Sequence, residues 1–191
     1  MGITIVILAA VGLIILGIIS YVVSLYNELI QINVNIDKSW ANIDVLLKQR
    51  YDELPKLVKV CEGYMSYEKG TLEKVISART KFLEAKTPAS MAAADNALSG
   101  ALKTLFAVSE NYPELKANEN FKQLRERVSY LENQIADRRE FYNDSVAIFN
   151  TRIKQIPDLF IADLLKYVPK EMYKMIEAEK SSPELNIHVP E

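Results

Sequence analysis

Few side chains in this sequence are of the types that carry out catalysis. The chain of 191 residues contains one histidine, His188, and one cysteine, Cys61. A single histidine cannot supply an HExxH zinc site or the two Glu-x-x-His motifs of a di-metal bundle. Cys61 lies on an apolar stripe, where a small core residue is a simpler interpretation than a nucleophile. We therefore predict that the protein is not an enzyme, with no catalytic residue, no metal and no cofactor.

Polar side chains beside apolar ones are more informative. Asn133 and Arg138 adjoin an apolar stripe, whereas Asn27, Asn143 and Asn150 each follow an aromatic residue. A buried Asn or Arg is destabilising unless it is paired, and a paired one can fix the register between helices. We interpret these five residues as setting the register of a helical bundle. A polar groove that binds a partner peptide is the alternative.

The first body helix is predicted from a stripe of apolar and aromatic residues at steps of three and four. The stripe consists of Ile36, Trp40, Ile43, Leu47, Leu54, Leu57, Cys61, Met65, Leu72, Val75 and Phe82. This spacing predicts one long helix that ends near Lys86. Pro55 interrupts the stripe, and Leu54 before it is a poor cap. We expect a kinked but continuing helix with Pro55 as a hinge; a full break is the alternative.

Three further apolar segments follow. A second helix is predicted over about 89–110, and a third is expected to begin after the capping residue Asn118 and to stop at Pro157. Short connections between long amphipathic helices make neighbours antiparallel. The segment from Leu159 to Ile176 could cover the bundle end, lie on the membrane or hold a partner, and a cover is the simplest of these.

The N-terminal segment has the length and composition of a membrane span. No charged side chain precedes Glu28, and residues 3–25 would form a helix of roughly 34 Å, enough to cross a hydrocarbon core of about 30 Å. A cleavable signal peptide would need basic residues before a shorter apolar run and a small-x-small site after it. We predict a single uncleaved span in the cell membrane. The Lys and Arg residues that follow it slightly favour a cytoplasmic body.

These patterns define an all-α protein. We predict an N-terminal transmembrane helix, then an antiparallel up-and-down bundle of three long helices with a shorter C-terminal helix. The predicted parts are an anchor over residues 1–27, a bundle over 28–176 and a flexible tail over 177–191. The net charge of −2 gives no basic excess for a nucleic-acid partner.

Several stretches resemble the LemA family. Residues 110–121 read ENYPELKANENF and are similar to the best-marked segment of that family. The similarity continues through LENQIA at 131–136, FNTRI at 149–153 and WANIDV at 40–45. Leu46 stands where the family commonly has Gln, Tyr67 stands where a His is frequent, and the stretch around 172–174 is only loosely similar.

The resemblance implies a prokaryotic, single-span membrane protein with a body of antiparallel helices. The family has no established catalytic residues, and its members are often regarded as scaffolds or accessory proteins. Some occur near membrane zinc proteases or TPM-domain proteins, which suggests the class of partner.

The leading functional hypothesis is a membrane-anchored interaction or scaffold protein. Its partners would be the lipid bilayer and another protein, and self-association is compatible with the architecture. Trp40, Tyr112, Phe160 and Leu164 are the candidate partner contacts. The alternative is a regulatory or signalling accessory subunit of a membrane protease or a related membrane complex.

Overall fold

The computed structural model describes residues 1–174, and these residues form helices without any strand. The six helices are α1 (Gly2–Glu62), α2 (Lys69–Glu84), α3 (Pro88–Ser109), α4 (Pro113–Ala117), α5 (Glu119–Arg152) and α6 (Asp158–Leu164). The all-α class is therefore confirmed, with a long apolar N-terminal helix followed by a helical body.

Helix α1 is continuous from the apolar N-terminal segment into the body. Among the described residues it is the one helix long and apolar enough to cross a membrane. Leu25 is the first buried residue of α1, so the preceding apolar segment stands clear of the body. The helix runs through Pro55, which lies on its exposed side, and the continuing-helix interpretation is confirmed. The hinge role of Pro55 remains a prediction.

The predicted extent of the first body helix is wrong, because α1 ends at Glu62 and α2 is a separate helix. The backbone N–H groups of Tyr64 and Met65 both donate to the carbonyl of Cys61, at 3.0 and 2.8 Å, and close a turn after Gly63. Cys61 before this turn, Met65 at its end and Leu72 in α2 are all buried, at steps of four and seven positions. Helical spacing therefore persists across a break in the helix, which is why periodicity did not reveal it.

Local capping explains where the next helices begin. Thr87 Oγ1 accepts from the Ser90 N–H at 3.1 Å and Ser90 Oγ accepts from the Thr87 N–H at 3.0 Å, which is a capping box with Pro88 in the first turn. Residues 85–87 join α2 and α3, which pack together as an antiparallel hairpin. Asn118 caps α5 as predicted, since its Oδ1 accepts from the Phe121 N–H at 3.1 Å.

The chain divides into two compact units. Unit 1 comprises Met1–Asn42 and Glu140–Met172, and unit 2 comprises Ile43–Arg139 together with Tyr173 and Lys174. In unit 1 the Trp40 and Tyr142 rings are 5.6 Å apart, and in unit 2 Tyr51 stacks on Phe82 at 3.8 Å.

Helix α6 is shorter than the predicted segment from Leu159 to Ile176. It ends at Leu164, and Lys166 has a φ of 55°, in the left-handed region that a helix cannot continue through. Pro169 then disfavours the helical conformation of Val168. The remaining described chain to Lys174 is not helical. The end of the predicted bundle and the predicted tail over 177–191 lie outside the described residues.

Candidate functional site: a buried charge cluster and the groove beside it

A buried carboxylate in unit 2 accepts hydrogen bonds from three side chains. Asp95 on α3 accepts from Arg50 Nη1 on α1 at 2.8 Å, from Arg139 Nη2 on α5 and from the Tyr173 hydroxyl at 3.2 Å. Arg50, Asp95 and Arg139 are all buried, and so is Tyr173. We call these four residues the Asp95 cluster. It joins three helices of unit 2 to the chain segment that follows Met172.

A second layer of contacts surrounds the two guanidinium groups. Arg50 Nη2 donates to Ser99 Oγ at 3.1 Å and lies 3.2 Å from Glu132 Oε2. The Arg139 guanidinium carbon lies 4.8 Å from the centre of the Tyr173 ring, in cation–π geometry. Two arginines therefore face two carboxylates, so charge is balanced around the cluster. Glu132 is the most exposed of these four charged residues, with 39% of its side chain exposed.

Burial keeps the tyrosines of this region protonated. It raises the pKa of Tyr173 well above its usual range, and the neighbouring Asp95 carboxylate raises it further. The pKa of Tyr51 rises for the same two reasons. The Tyr51 hydroxyl is buried without a hydrogen-bond partner among the described residues. With its oxygens occupied by two guanidinium groups and a hydroxyl, Asp95 is placed to hold helices together rather than to accept a substrate proton.

An open groove of about 610 Å³ lies between α3 and α5 in unit 2. It is lined by Asn96, Ser99, Gly100, Leu102, Lys103, Phe106, Ala107, Glu110, Arg125, Ser129 and Glu132. Ser99 and Glu132 belong to the second layer of the Asp95 cluster, so the cluster and the groove share a wall. At the other end the Arg125 guanidinium lies 5.2 Å from the Phe106 ring centre and 3.3 Å from Glu110 Oε1. The groove therefore has an apolar floor and charged rims.

Unit 1 contains a second polar network, which holds the non-helical chain after α6. The Asn150 carboxamide donates to the Lys170 carbonyl at 2.9 Å and accepts from the Lys170 N–H at 2.8 Å. Tyr142 donates its hydroxyl to the Glu171 carbonyl at 3.0 Å, and Lys170 Nζ pairs with Asp37 at 2.6 Å. Asn150 therefore contacts the backbone of a later segment instead of a neighbouring helix.

The predicted partner contacts lie in different environments and are not brought together in one site. Trp40 and Tyr112 are half-buried, and the Tyr112 hydroxyl lies 3.5 Å from Glu68 Oε1. Phe160 and Leu164 are exposed on α6. None of these four residues lines the α3–α5 groove. Their role in partner binding remains a prediction.

The expected burial of the register-setting residues is wrong for three of the five. Asn27, Asn133 and Arg138 are exposed, and Asn143 is half-buried. On α5 the inward position belongs to the next residue, Arg139, because it stands four residues after the buried Ile135 and three before Tyr142. The sequence pattern identified the right region of α5 but the wrong one of two adjacent arginines.

Apolar spacing alone could have indicated the other charged members of the Asp95 cluster. Arg50 stands three positions after Leu47 and four before Leu54, and Asp95 stands three positions before Leu98. A charged residue at a core-facing position of an amphipathic stripe implies a buried partner of opposite charge. Tyr173 carried no comparable signal, because it follows α6 and lies on no apolar helical stripe.

Residues 1–174 contain no group of three or more His, Cys, Asp or Glu side chains placed to hold a metal ion. The Asp95 cluster instead surrounds its carboxylate with cationic and hydroxyl donors, a set that satisfies the charge without an ion.

The sequence pattern of the LemA family matches residues 39–187. This chain belongs to the LemA family. The match begins within α1 and covers the rest of the described body, including every member of the Asp95 cluster. The resemblance noted from the sequence is thereby confirmed.

Three named relatives align with most of this LemA-family chain. Protein LemA of Metamycoplasma hominis is 26% identical over 158 residues, which covers 81% of this chain and 71% of the relative. Magnetosome proteins MamQ 1 and MamQ 2 of Paramagnetospirillum magneticum are each 21% identical over 189 residues, covering 84% of this chain and 70% of the relative.

Proposed function

We propose that the chain is a membrane-anchored, non-enzymatic interaction protein whose α3–α5 groove receives a polypeptide segment of a protein partner. The groove is the observation that carries this proposal. Its volume of about 610 Å³ is that of a ligand site. Leu102 and Phe106 offer an apolar floor, and charged side chains line both rims. A partner segment would place an apolar side chain on that floor.

The groove also has a charge preference. Glu110 and Glu132 are engaged by Arg125 and Arg50, whereas Lys103 makes no ion pair among residues 1–174. An acidic side chain of the partner would pair with Lys103. Because the Asp95 cluster fixes the wall formed by Ser99 and Glu132, little side-chain entropy would be lost on binding.

Membrane anchoring through α1 completes the proposal. Confinement of a binding protein to a membrane surface raises its effective concentration for partners in the same membrane. The relatives named as magnetosome proteins are consistent with a role at a membrane. The LemA family is not known as an enzyme family, which supports a binding role. A membrane protease or a TPM-domain protein is the partner class that we would seek first.

Site-specific photo-crosslinking in native membranes tests the groove. A photoreactive residue is placed at Ser129 in the full-length chain, and the matched control is placed at Glu126, which is exposed on the same helix outside the groove. We expect a discrete protein adduct from position 129 only. Lys103→Glu should abolish that adduct, and Lys86→Glu, on an exposed connecting segment, should not.

Two results would oppose the proposal. Equal adducts from positions 126 and 129 would show that the groove is not the contact surface. An adduct at 129 that survives Lys103→Glu with unchanged yield would remove the acidic partner segment from the proposal.

A further inference from the structure

Helix α6 presents large apolar side chains to solvent. Ile156 just before it, and Phe160 and Leu164 within it, are 74%, 67% and 77% exposed. The opposite side of α6 is buried through Ile161 and Ala162. Since that side is packed, the short helix cannot rotate to hide Phe160 and Leu164. Phe160 and Leu164 are four positions apart on α6, so they share one face, and exposed large apolar side chains on one face indicate a surface that binds a membrane or another molecule.

The position of α6 along α1 identifies what lies beside it. Arg152, at the end of α5, pairs with Glu28 at 2.9 Å and with Asp158, the first residue of α6, at 2.6 Å. Glu28 is the first charged residue after the apolar segment, and Leu25 is the first buried residue of α1. Three residues of helix span only about 4.5 Å. The start of α6 is thus tied to α1 where the candidate membrane span ends.

The chain after α6 runs away from that point. Lys170 pairs with Asp37 at 2.6 Å, and Asp37 is nine residues beyond Glu28, or roughly 13.5 Å further along α1. Tyr167 lies between α6 and Lys170 in sequence, and its ring packs on Phe149 with the ring centres 5.3 Å apart. Within unit 1, the C-terminal chain is therefore tied to α1 at two points: at the end of the candidate span through the start of α6, and further along α1 through Lys170.

The charges around α6 suit a lipid surface. Lys154 precedes the helix and Lys166 follows it, and both are exposed. Of the two acidic residues within α6, Asp158 is paired with Arg152 and Asp163 is exposed. Segments that lie in the membrane interface combine an apolar face with flanking cationic side chains, which attract anionic headgroups. A bilayer has a hydrocarbon core of about 30 Å within a total of about 40–45 Å, so a feature within about 5 Å of the span's end lies at headgroup depth.

We propose that Ile156, Phe160 and Leu164 insert into the headgroup–acyl boundary of the membrane that α1 crosses. This inference rests on the proposed membrane anchoring. Unit 1 would then contact the bilayer at two places, through the span and through α6. Two contacts fix the tilt and rotation of α1, which a single apolar helix leaves open.

Spin labels on the full-length chain in vesicles test this contact. A cysteine is introduced at Leu164, at Ile14 within the candidate span, or at Leu83, which is exposed on α2 and serves as the matched control. Cys61 is buried and is not expected to react with the label. The vesicles contain phosphatidylcholine with or without phosphatidylglycerol. Collisions with dissolved oxygen report lipid, and collisions with an aqueous nickel complex report water.

We expect oxygen to dominate at positions 14 and 164 and nickel to dominate at position 83. If the label at position 14 reports lipid and the label at position 164 reports water, the α6 inference is wrong and the anchor is unaffected. Water at 14 would overturn the anchor itself. Protection of 164 from both reagents, with dipolar broadening between labels, would overturn the inference in favour of contact with a second copy. Lys154→Glu with Lys166→Glu should reduce oxygen access at 164 in the anionic vesicles only.

Discussion

The Asp95 cluster of unit 2 and the Arg152–Glu28 pair of unit 1 both join arginine to a carboxylate, but they lie in different solvent environments. In unit 2, the side chains of Arg50 and Asp95 are both fully buried. In unit 1, Arg152 keeps 23% of its side chain exposed and its partner Glu28 keeps 53%. A charge in the interior must be paired to be tolerated, whereas a charge at the surface is already solvated. Loss of one charged partner should therefore lower the free energy of unfolding much more in the buried network than in the exposed one.

The largest effect is expected from Asp95→Asn. This change leaves the buried guanidinium groups of Arg50 and Arg139 without their shared carboxylate, and an uncompensated buried charge costs about 3–5 kcal/mol. The free energy of unfolding is measured by urea titration of the full chain in detergent micelles, followed by circular dichroism. Asp137→Asn, an exposed change on α5, is the matched control and should stay near zero.

A cost below about 1 kcal/mol for Asp95→Asn would contradict the difference between the two units, because it would mean that water reaches the Asp95 cluster.

A smaller effect is expected from Tyr173→Phe. The ring and its stacking with Arg139 are kept, but the hydroxyl that donates to Asp95 is lost. A hydrogen bond to a charged group contributes about 1.5–3 kcal/mol. Urea unfolding gives the loss, and limited proteolysis shows whether the chain near Tyr173 becomes susceptible. Tyr130→Phe, an exposed hydroxyl deletion on α5, should change neither readout.

The helices were largely predictable from the sequence because their inner faces repeat at three and four residues. The stripe over α3 gave that helix to within about one residue. The stripe over α5 gave its start, but the predicted end at Pro157 is wrong, because α5 ends at Arg152 and turns follow it. The same repeat failed at residues 63–68, where Met65 and Leu72 keep helical spacing across a turn that only the backbone hydrogen bonds define. Periodicity reports which residues are buried, but it does not report whether the chain between them is continuous.

The pairing within the Asp95 cluster could not be predicted from the sequence, for a different reason. Arg50 and Asp95 are 45 residues apart, and Asp95 and Tyr173 are 78 apart. Helical spacing places each charged residue on an inward face, but it cannot say which opposite charge it meets. The end of α6 likewise depends on the left-handed backbone of Lys166. A lysine gives no indication of this conformation in the sequence, because non-glycine residues rarely adopt it.

The unit 1 network should respond weakly to substitution and strongly to salt. Glu28→Gln removes the exposed partner of Arg152 and leaves the Asp158 pair in place. We expect a loss of about 1 kcal/mol or less, and this loss should vanish near 1 M salt, where the Debye length falls to about 3 Å. Urea titrations at low and high salt measure it, with Glu171→Gln as an exposed control.

If Glu28→Gln costs as much as Asp95→Asn and is insensitive to salt, then the Arg152 network is buried in solution and the proposed contrast between the units is lost.

The smallest effect concerns the Cys61 thiol, and it tests independently whether water reaches the interior of unit 2. Burial raises the pKa of Cys61 from about 9 to about 12, and the adjacent Glu62 adds to the shift. The folded state thus favours the neutral thiol. The stability that this contributes is complete below about pH 9 and is lost as the pH rises from 9 through 12. At pH 8 almost no thiolate is present, so a maleimide should react only after denaturation.

Ser66→Cys supplies the comparison, because position 66 lies in the exposed turn between α1 and α2. Its thiol should react at pH 8 without denaturant, while Cys61 in the same molecule stays unmodified. A Cys61→Ala variant should lose the fall in stability above pH 9 that the thiol causes. Rapid modification of Cys61 at pH 8 in the folded chain would mean that the interior opens to solvent, and the cost predicted for Asp95→Asn should then shrink with it.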